Sequence, residues 1–204
     1  MGKKPTLLAA EAPALAETLL REALGEYNRF APVFLNLPDS YTPVLMLAVP
    51  LEGVEEFSEG ESNWSIWVGT MVAGRLRMAG VFFPEAQAFY QVAHESKPSS
   101  HNGAFEIKFV PMHETLVAEI GEARFPADSV PTVPTTVQAL STGQALSNLI
   151  GGNISLAISP KDTVATLLAA HIVKMAGGAV VEVDEGTVWG SKQAVAQFVE
   201  QSKK

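Results

Sequence analysis

The chain has 204 residues, 47% of them hydrophobic, and sets 22 Asp and Glu against 14 Lys and Arg for a formal net charge of -8. That much apolar material supports one substantial core, so the sequence reads as a single domain over 1–204. The acidic balance repels a nucleic-acid backbone, the lack of cysteine rules out disulfides, thiolate metal sites and cysteine nucleophiles, and no stretch reaches the ~20 apolar residues of a membrane helix. The expectation is a cytoplasmic protein with neither nucleic acid nor membrane as partner.

Taken from the start, Met1-Gly2-Lys3-Lys4-Pro5-Thr6 fits a myristoylation pattern and Lys3-Lys4 before Leu7-Leu8-Ala9-Ala10 faintly mimics a signal peptide, but Glu11 interrupts the run and both are read as chance. Leu15, Leu19, Leu20, Ala23 and Leu24 predict an amphipathic helix from about Pro13, with Glu17, Arg21 and Glu22 on its wet side and Gly25 as its stop. Pro32, Pro38 and Pro43 make the next segment an irregular connection with a short strand at Val33 to Leu35. Val44 to Val49 is an unbroken apolar run, short enough to be a strand buried on both faces.

Alternation then predicts an antiparallel meander: Asn63 to Val72, a turn at Ala73-Gly74, Arg75 to Phe83, a turn at Pro84 to Gln87, and Phe89 to Ala93. Glu55, Glu56, Glu59 and Glu61, which precede it, read as a solvated acidic loop. Trp64 and Trp67 fall on opposite faces, so at least one belongs to a core or an interface. Lys97 to Gly103 reads as a polar loop, Ala104 to Val110 and Thr115 to Ile120 as strands, and the proline-rich Phe125 to Thr136 as a linker between an N-terminal part (1–125) and a C-terminal α/β half (137–204).

In that half, Ser141 or Thr142 caps a helix carrying Leu146, Leu149 and Ile150 that Gly151-Gly152 stops. Ile154 to Ile158 is a short strand. A second helix begins around Asp162-Thr163, buries Val164, Leu168, Ile172 and Met175 and ends at Gly177-Gly178; Val180 to Asp184 is a strand that turns at Glu185-Gly186. A last helix from Ser191 to Glu200 points Val195, Phe198 and Val199 inward.

The order of these pieces resembles the inositol monophosphatase family of magnesium-dependent phosphatases, from about Val44 to the C-terminus. Val49-Pro50-Leu51-Glu52-Gly53-Val54 stands where that family has Asp-Pro-Leu-Asp-Gly-Thr, Gly143-Gln144 where it has Gly-Ser, Lys161-Asp162 where it has Trp-Asp, and Met175-Ala176-Gly177-Gly178 where it has Glu-Ala-Gly-Gly. The resemblance implies an α+β fold, a layered αβαβα sandwich, with an N-terminal region shorter than in the family, and a dimer as the common assembly.

It also implies a chemistry that this chain is poorly equipped to perform. The family gathers magnesium with a Glu-Glu pair, both aspartates of the first motif and the Trp-Asp aspartate; here only Glu52 and Asp162 answer to that set. Val49 brings methyl groups to the position of the principal ligand, and Val54 removes a hydroxyl beside the attacking water. Two carboxylates hold one magnesium weakly and do not build the paired-metal arrangement.

The expectation is therefore a noncatalytic relative with no catalytic residue and no resident cofactor, acting through a protein partner or as a homo-oligomer, with Glu52 and Asp162 as vestigial metal positions. The alternative is a weak or altered magnesium-dependent phosphatase acting on small phosphate monoesters such as inositol phosphates, with Glu52 and Asp162 as ligands and the site completed by a partner chain or by a further acid such as Asp39 or Glu56. A third reading is a small-molecule sensor holding an anion at the start of the Asp162 helix. Asp162 as that helix's N-cap, a packed His171, the adjacent Ser99-Ser100-His101, and Gly190-Ser191-Lys192 as a faint phosphate loop are the remaining features; the four histidines show no metal-ligand spacing.

Overall fold

A computed structural model describes residues 11–25, 31–39, 42–107, 116–126 and 137–202. The nine-residue strand Val44–Glu52 (β2) is the spine of the first sheet. It pairs in parallel with β1 (Val33–Phe34) on one side. On the other side follow, all antiparallel, β3 (Ser65–Val72), β4 (Arg75–Phe83), β5 (Ala88–Ala93), β6 (Ser99–Ser100) and β7 (Gly103–Ala104), in sequence order. Period-2 alternation gives this sheet two faces: Leu45, Leu47, Trp67, Ala79 and Val81 are buried on the inner one.

The second sheet mixes β8 (Leu116–Glu119), β9 (Val137–Ala139), β10 (Ile154–Ser159), β11 (Ala179–Val183) and β12 (Gly186–Gly190) in the order β11-β12-β10-β8-β9. β10 is buried at all six positions, with Ile154 and Ala157 packed in one cluster and Leu156 and Ile158 in the other. A strand covered on both faces has no polar side to show, which is why ISLAIS does not alternate.

Helices fill three layers around these sheets. α1 (Ala12–Ala23) lies on the outer face of the first sheet against β2, and α2 (Val54–Glu59) follows β2 directly. α3 (Thr142–Gly151) and α4 (Val164–Met175) sit between the sheets, and α5 (Lys192–Gln201) covers the far side of the second. The order is helix, sheet, helices, sheet, helix, the expected αβαβα sandwich. Leu146, Leu149, Leu168 and Ile172 from α3 and α4 are at most 1% exposed and meet Trp67 and Trp189 in the central cluster. Burying each of those aliphatic side chains contributes about 1.5–3 kcal/mol.

Several local expectations are corrected. The acidic run after Gly53 is the helix α2 rather than a loop, because Gly53 takes φ 86° and turns the chain straight out of β2. Lys97 to Gly103 holds the β6 and β7 hairpin, and strand structure stops at Ala104, while 108–110 lie outside the described residues. β9 and β12 have no counterpart among the expected strands: three residues are too few to show a period, and Gly-Thr-Val-Trp-Gly is bracketed by residues that read as turns. On α1 only Ala12 is buried, whereas Leu15 and Leu19, expected inside, are 44% and 55% exposed. The N-terminal decapeptide, His113, Thr115 and the proline-rich stretch 127–136 lie outside the described residues.

β12 also shows why its ends are glycines. A methyl group on Gly190 would press into the carbonyl oxygen of Ser155 in the neighbouring strand, which is backbone and cannot swing away. Gly190→Ala is expected to lower unfolding free energy by about 1–3 kcal/mol in urea denaturation, the usual cost of overpacking a closed interior.

Candidate functional site

β2 bulges between Val49 and Glu52 as it leaves the sheet, and Glu52 comes back into register opposite Ser65. The bulge turns the Glu52 carboxylate toward the start of α3, ninety residues later in the chain. Oε1 accepts the Thr142 N–H at 2.7 Å; Oε2 accepts the Gly143 N–H at 3.2 Å and the Ser65 hydroxyl at 2.9 Å. Ser65 is itself held, since its oxygen accepts the indole N–H of the fully buried Trp67 at 3.0 Å.

The rest of α3's first turn is equally accounted for. Ser141 accepts the Gln144 N–H at 3.2 Å, and the Gln144 side chain accepts the Ser141 N–H at 2.9 Å, a complete capping box. A helix start has orphan N–H groups and a partial positive charge. Here Glu52 supplies the negative charge and the Ser141 box the remaining acceptor, so the place where a helix ordinarily receives a bound anion is filled by the chain's own carboxylate.

Gly143 lets the two parts close. A Cβ at that position would lie 2.5 Å from the Ser65 hydroxyl oxygen and 3.0 Å from the Phe83 ring. The glycine identified from the family's Gly-Ser position thus has a packing reason of its own. Val49 is partly buried and packs against the central cluster, so its methyl groups belong to the core.

Asp162 is placed differently. It is exposed, has φ 59°, and precedes the cap: Thr163 accepts the Thr166 N–H at 3.1 Å and is the N-cap of α4, which corrects the capping role expected of Asp162. Asp162 borders a groove of about 380 Å³ that runs along α4, with Lys161, Thr166, His171, Lys174 and Glu182 among its walls. Asp39 is exposed, and Glu56 sits in the first turn of α2.

The other sequence candidates have structural occupations. Ser99 accepts from Gln91, Ser100 donates to the Gly103 carbonyl, and the His101 ring meets Asn102 and the Phe89 carbonyl, contacts within the β6 and β7 hairpin and between it and β5. Ser191 accepts the Ala194 N–H and caps α5. Trp64 packs edge-on to Phe57 beside α1, opposite the face that buries Trp67.

Magnesium requires several hard oxygen donors with free lone pairs. Both Glu52 oxygens are already engaged by α3 and Ser65, and among the described residues no group of three or more His, Asp or Glu is placed to hold a metal. The residues present do not fit a paired-metal centre. What the sequence did not show was the long-range cap itself; the Ser141-x-x-Gln144 pattern marked the helix start, but nothing local in β2 marked its partner.

Two outcomes follow from this geometry. Glu52→Ala, which strips two amides and a hydroxyl of a charged acceptor, is expected to cost about 2–4 kcal/mol in chemical denaturation, above the cost of a surface Glu→Ala. In the α4 groove, the half-buried His171 has its pKa lowered, first by burial and then by Lys174, and among the described residues its Nε2 has no hydrogen-bond partner. A folded-state pKa below the unfolded one means the unfolded chain takes up the proton first as pH falls below about 6.5. Wild type is therefore expected to lose stability relative to His171→Gln between pH 7.5 and 5.5, measured by paired thermal melts.

No family model matches the sequence, and no curated protein does so either. Solved structures match it nearly end to end. The extragenic suppressor protein SuhB from Bartonella henselae superposes with a TM-score of 0.81 at 12% identity, over 96% of this chain and 88% of that one. The inositol monophosphatase of Zymomonas mobilis gives 0.75 at 16% identity, over 97% and 89%. A dual specific IMPase/NADP phosphatase bound with D-inositol-1-phosphate gives 0.73 at 10% identity, over 97% and 83%. At such identities the likeness is one of architecture, and on that ground the chain has the inositol monophosphatase fold.

Proposed function

We propose that this protein is a noncatalytic form of the inositol monophosphatase fold that acts through protein contacts. The observation that carries the reading is the commitment of Glu52. The acid at the family's motif position serves as an anion for α3, so drawing it onto a metal would leave Thr142 and Gly143 without acceptors. Val49 supports the same reading, because a core valine offers no oxygen where the first motif aspartate would stand. The surviving Asp162 is a solvent-facing turn residue.

Phosphoryl transfer depends on positioning and on charge stabilisation by metal and cationic groups around the phosphate. Among the described residues Glu52 is bonded to the Ser65 hydroxyl and to two amides of a helix start, with the Trp67 indole in turn on Ser65. Among the described residues no helix is long and apolar enough to cross a membrane, and the net charge of -8 disfavours nucleic acid. Protein surfaces remain as the natural class of partner.

Isothermal titration of magnesium into the protein, run beside a phosphate-release assay on D-inositol-1-phosphate, tests this directly. The expected result is no saturable heat and no turnover above buffer. Saturable magnesium binding that disappears in Asp162→Ala, together with metal-dependent phosphate release, would establish the phosphatase alternative instead.

A further inference from the structure

One flank of α1 is left without cover. The helix lies against β2 and α2, yet Leu15 and Leu19, one turn apart, are 44% and 55% exposed. They form one wall of a groove of about 360 Å³ whose other wall is Leu51, Phe57, Trp64 and Ile66. The α1 wall runs from Ala12 to Ala23, ~16 Å at 1.5 Å per residue, which is three helical turns. Every side chain that lines the groove is hydrophobic. A small molecule is oriented in its site by a few convergent polar groups, and this groove offers none. An apolar trough three turns long instead suits the apolar face of another helix, which inserts side chains spaced i, i+3 or i+4, and i+7.

The charge around the groove sets the sign of what can lie in it. The two segments that wall it, residues 11–25 and 50–66, hold eight of the chain's 22 acidic residues and one of its 14 basic ones. That one base, Arg21, is already tied to Glu17 at 2.8 Å. Glu55 and Glu59 of α2 and Glu61 after it are exposed. A Cβ on Gly53 would lie 3.2 Å from Glu56 Oε2 and 3.1 Å from the Trp64 Cα, so the Glu56 carboxylate stands beside the Trp64 wall. Among the described residues none of these four glutamates has a cationic partner. The same field turns away an anionic lipid surface. It also disfavours a second α1, whose own polar side brings Glu17 and Glu22 against one already paired arginine.

We propose that this groove is the docking site for a basic amphipathic helix of another protein. Its apolar side chains would cover Leu15, Leu19, Phe57 and Trp64, and its Lys and Arg would face the glutamates of α2. The apolar trough supplies the binding energy, with Trp64, held edge-on to Phe57 at 5.2 Å, as the large aromatic anchor that such interfaces favour. The acidic rim supplies selection and speeds encounter. This inference rests on the protein-contact reading and gives it a surface and a class of partner.

Trp64 also provides the readout. Of the three tryptophans, Trp67 and Trp189 are fully buried, and Trp64 alone is partly exposed. The probes are a synthetic Leu/Lys amphipathic peptide of ~18 residues, five turns, the same peptide with Glu for every Lys, and the Leu/Lys composition in scrambled order. The Leu/Lys helix is expected to shift Trp64 emission saturably to the blue at micromolar concentration, with no shift in Trp64→Phe. It should bind Leu15→Asp/Leu19→Asp about tenfold or more weakly, the loss expected at a hot spot, and bind Val137→Asp on the other sheet like wild type. Glu55→Gln/Glu59→Gln, which alters only exposed side chains, should weaken binding several-fold and flatten its dependence on salt.

No saturable shift, equal binding of the Glu or scrambled peptide, or indifference to the Leu15 and Leu19 changes would overturn the proposal. So would tighter binding to full-length Lys3→Glu/Lys4→Glu, which would assign the groove to the chain's own N-terminal decapeptide. A dimer in sedimentation that Leu15→Asp/Leu19→Asp dissolves would assign it to a second copy and overturn the proposal equally. None of these readouts involves metal or phosphate ester: magnesium-dependent turnover would end the noncatalytic reading without altering them, and a failed peptide titration would leave the Glu52 geometry as it stands.

Discussion

The structure depends on one partly buried electrostatic contact, the Glu52 carboxylate against the first turn of α3. It joins the end of β2 in the first sheet to a helix of the middle layer. Helix starts and carboxylates are both costly to leave unpaired away from water, and pairing them removes both costs together. The contact is closed by a chain of donors, Trp67 to Ser65 to Glu52, that begins deep in the core. It is also geometrically exclusive: Gly143 brings α3 so near Ser65 that no side chain fits between them.

This arrangement gives the acid at the motif position a structural role within the inositol monophosphatase fold. In a metal site, carboxylates crowded at one end of a sheet repel each other, and the bound cation offsets the repulsion. Here Val49 packs against the central cluster, and the start of α3 with its two amides offsets the charge of Glu52 locally.

Much of the architecture was legible in the chain. The meander was written in alternation and turns, α3 in its Ser141-x-x-Gln144 box, α4 in Val164, Leu168 and Ile172, and the ends of both helices in glycines with left-handed φ. β12 was not legible, because both its faces are buried and its glycines read as punctuation until the close approach to Ser155 and Ser159 is seen. α2 was hidden by its glutamates, whose position in a helix is permitted by the left-handed Gly53 before it. The site was half legible: sequence marked Glu52, Gly143 and Asp162, but assigning Glu52 to α3 required the fold, since the partners are separated by ninety residues and the contact is to backbone amides that carry no side-chain signature.

The central claim concerns two amide protons, and hydrogen exchange resolved by NMR reports on them directly. With the Glu52 carboxylate permanently engaged, the Thr142 and Gly143 amides should be strongly protected, and their shifts and protection should be unchanged when magnesium is raised to millimolar levels. Amides that exchange freely, or that lose protection and shift saturably as magnesium is added, would show that the carboxylate is free to leave the helix for a metal and would contradict the account.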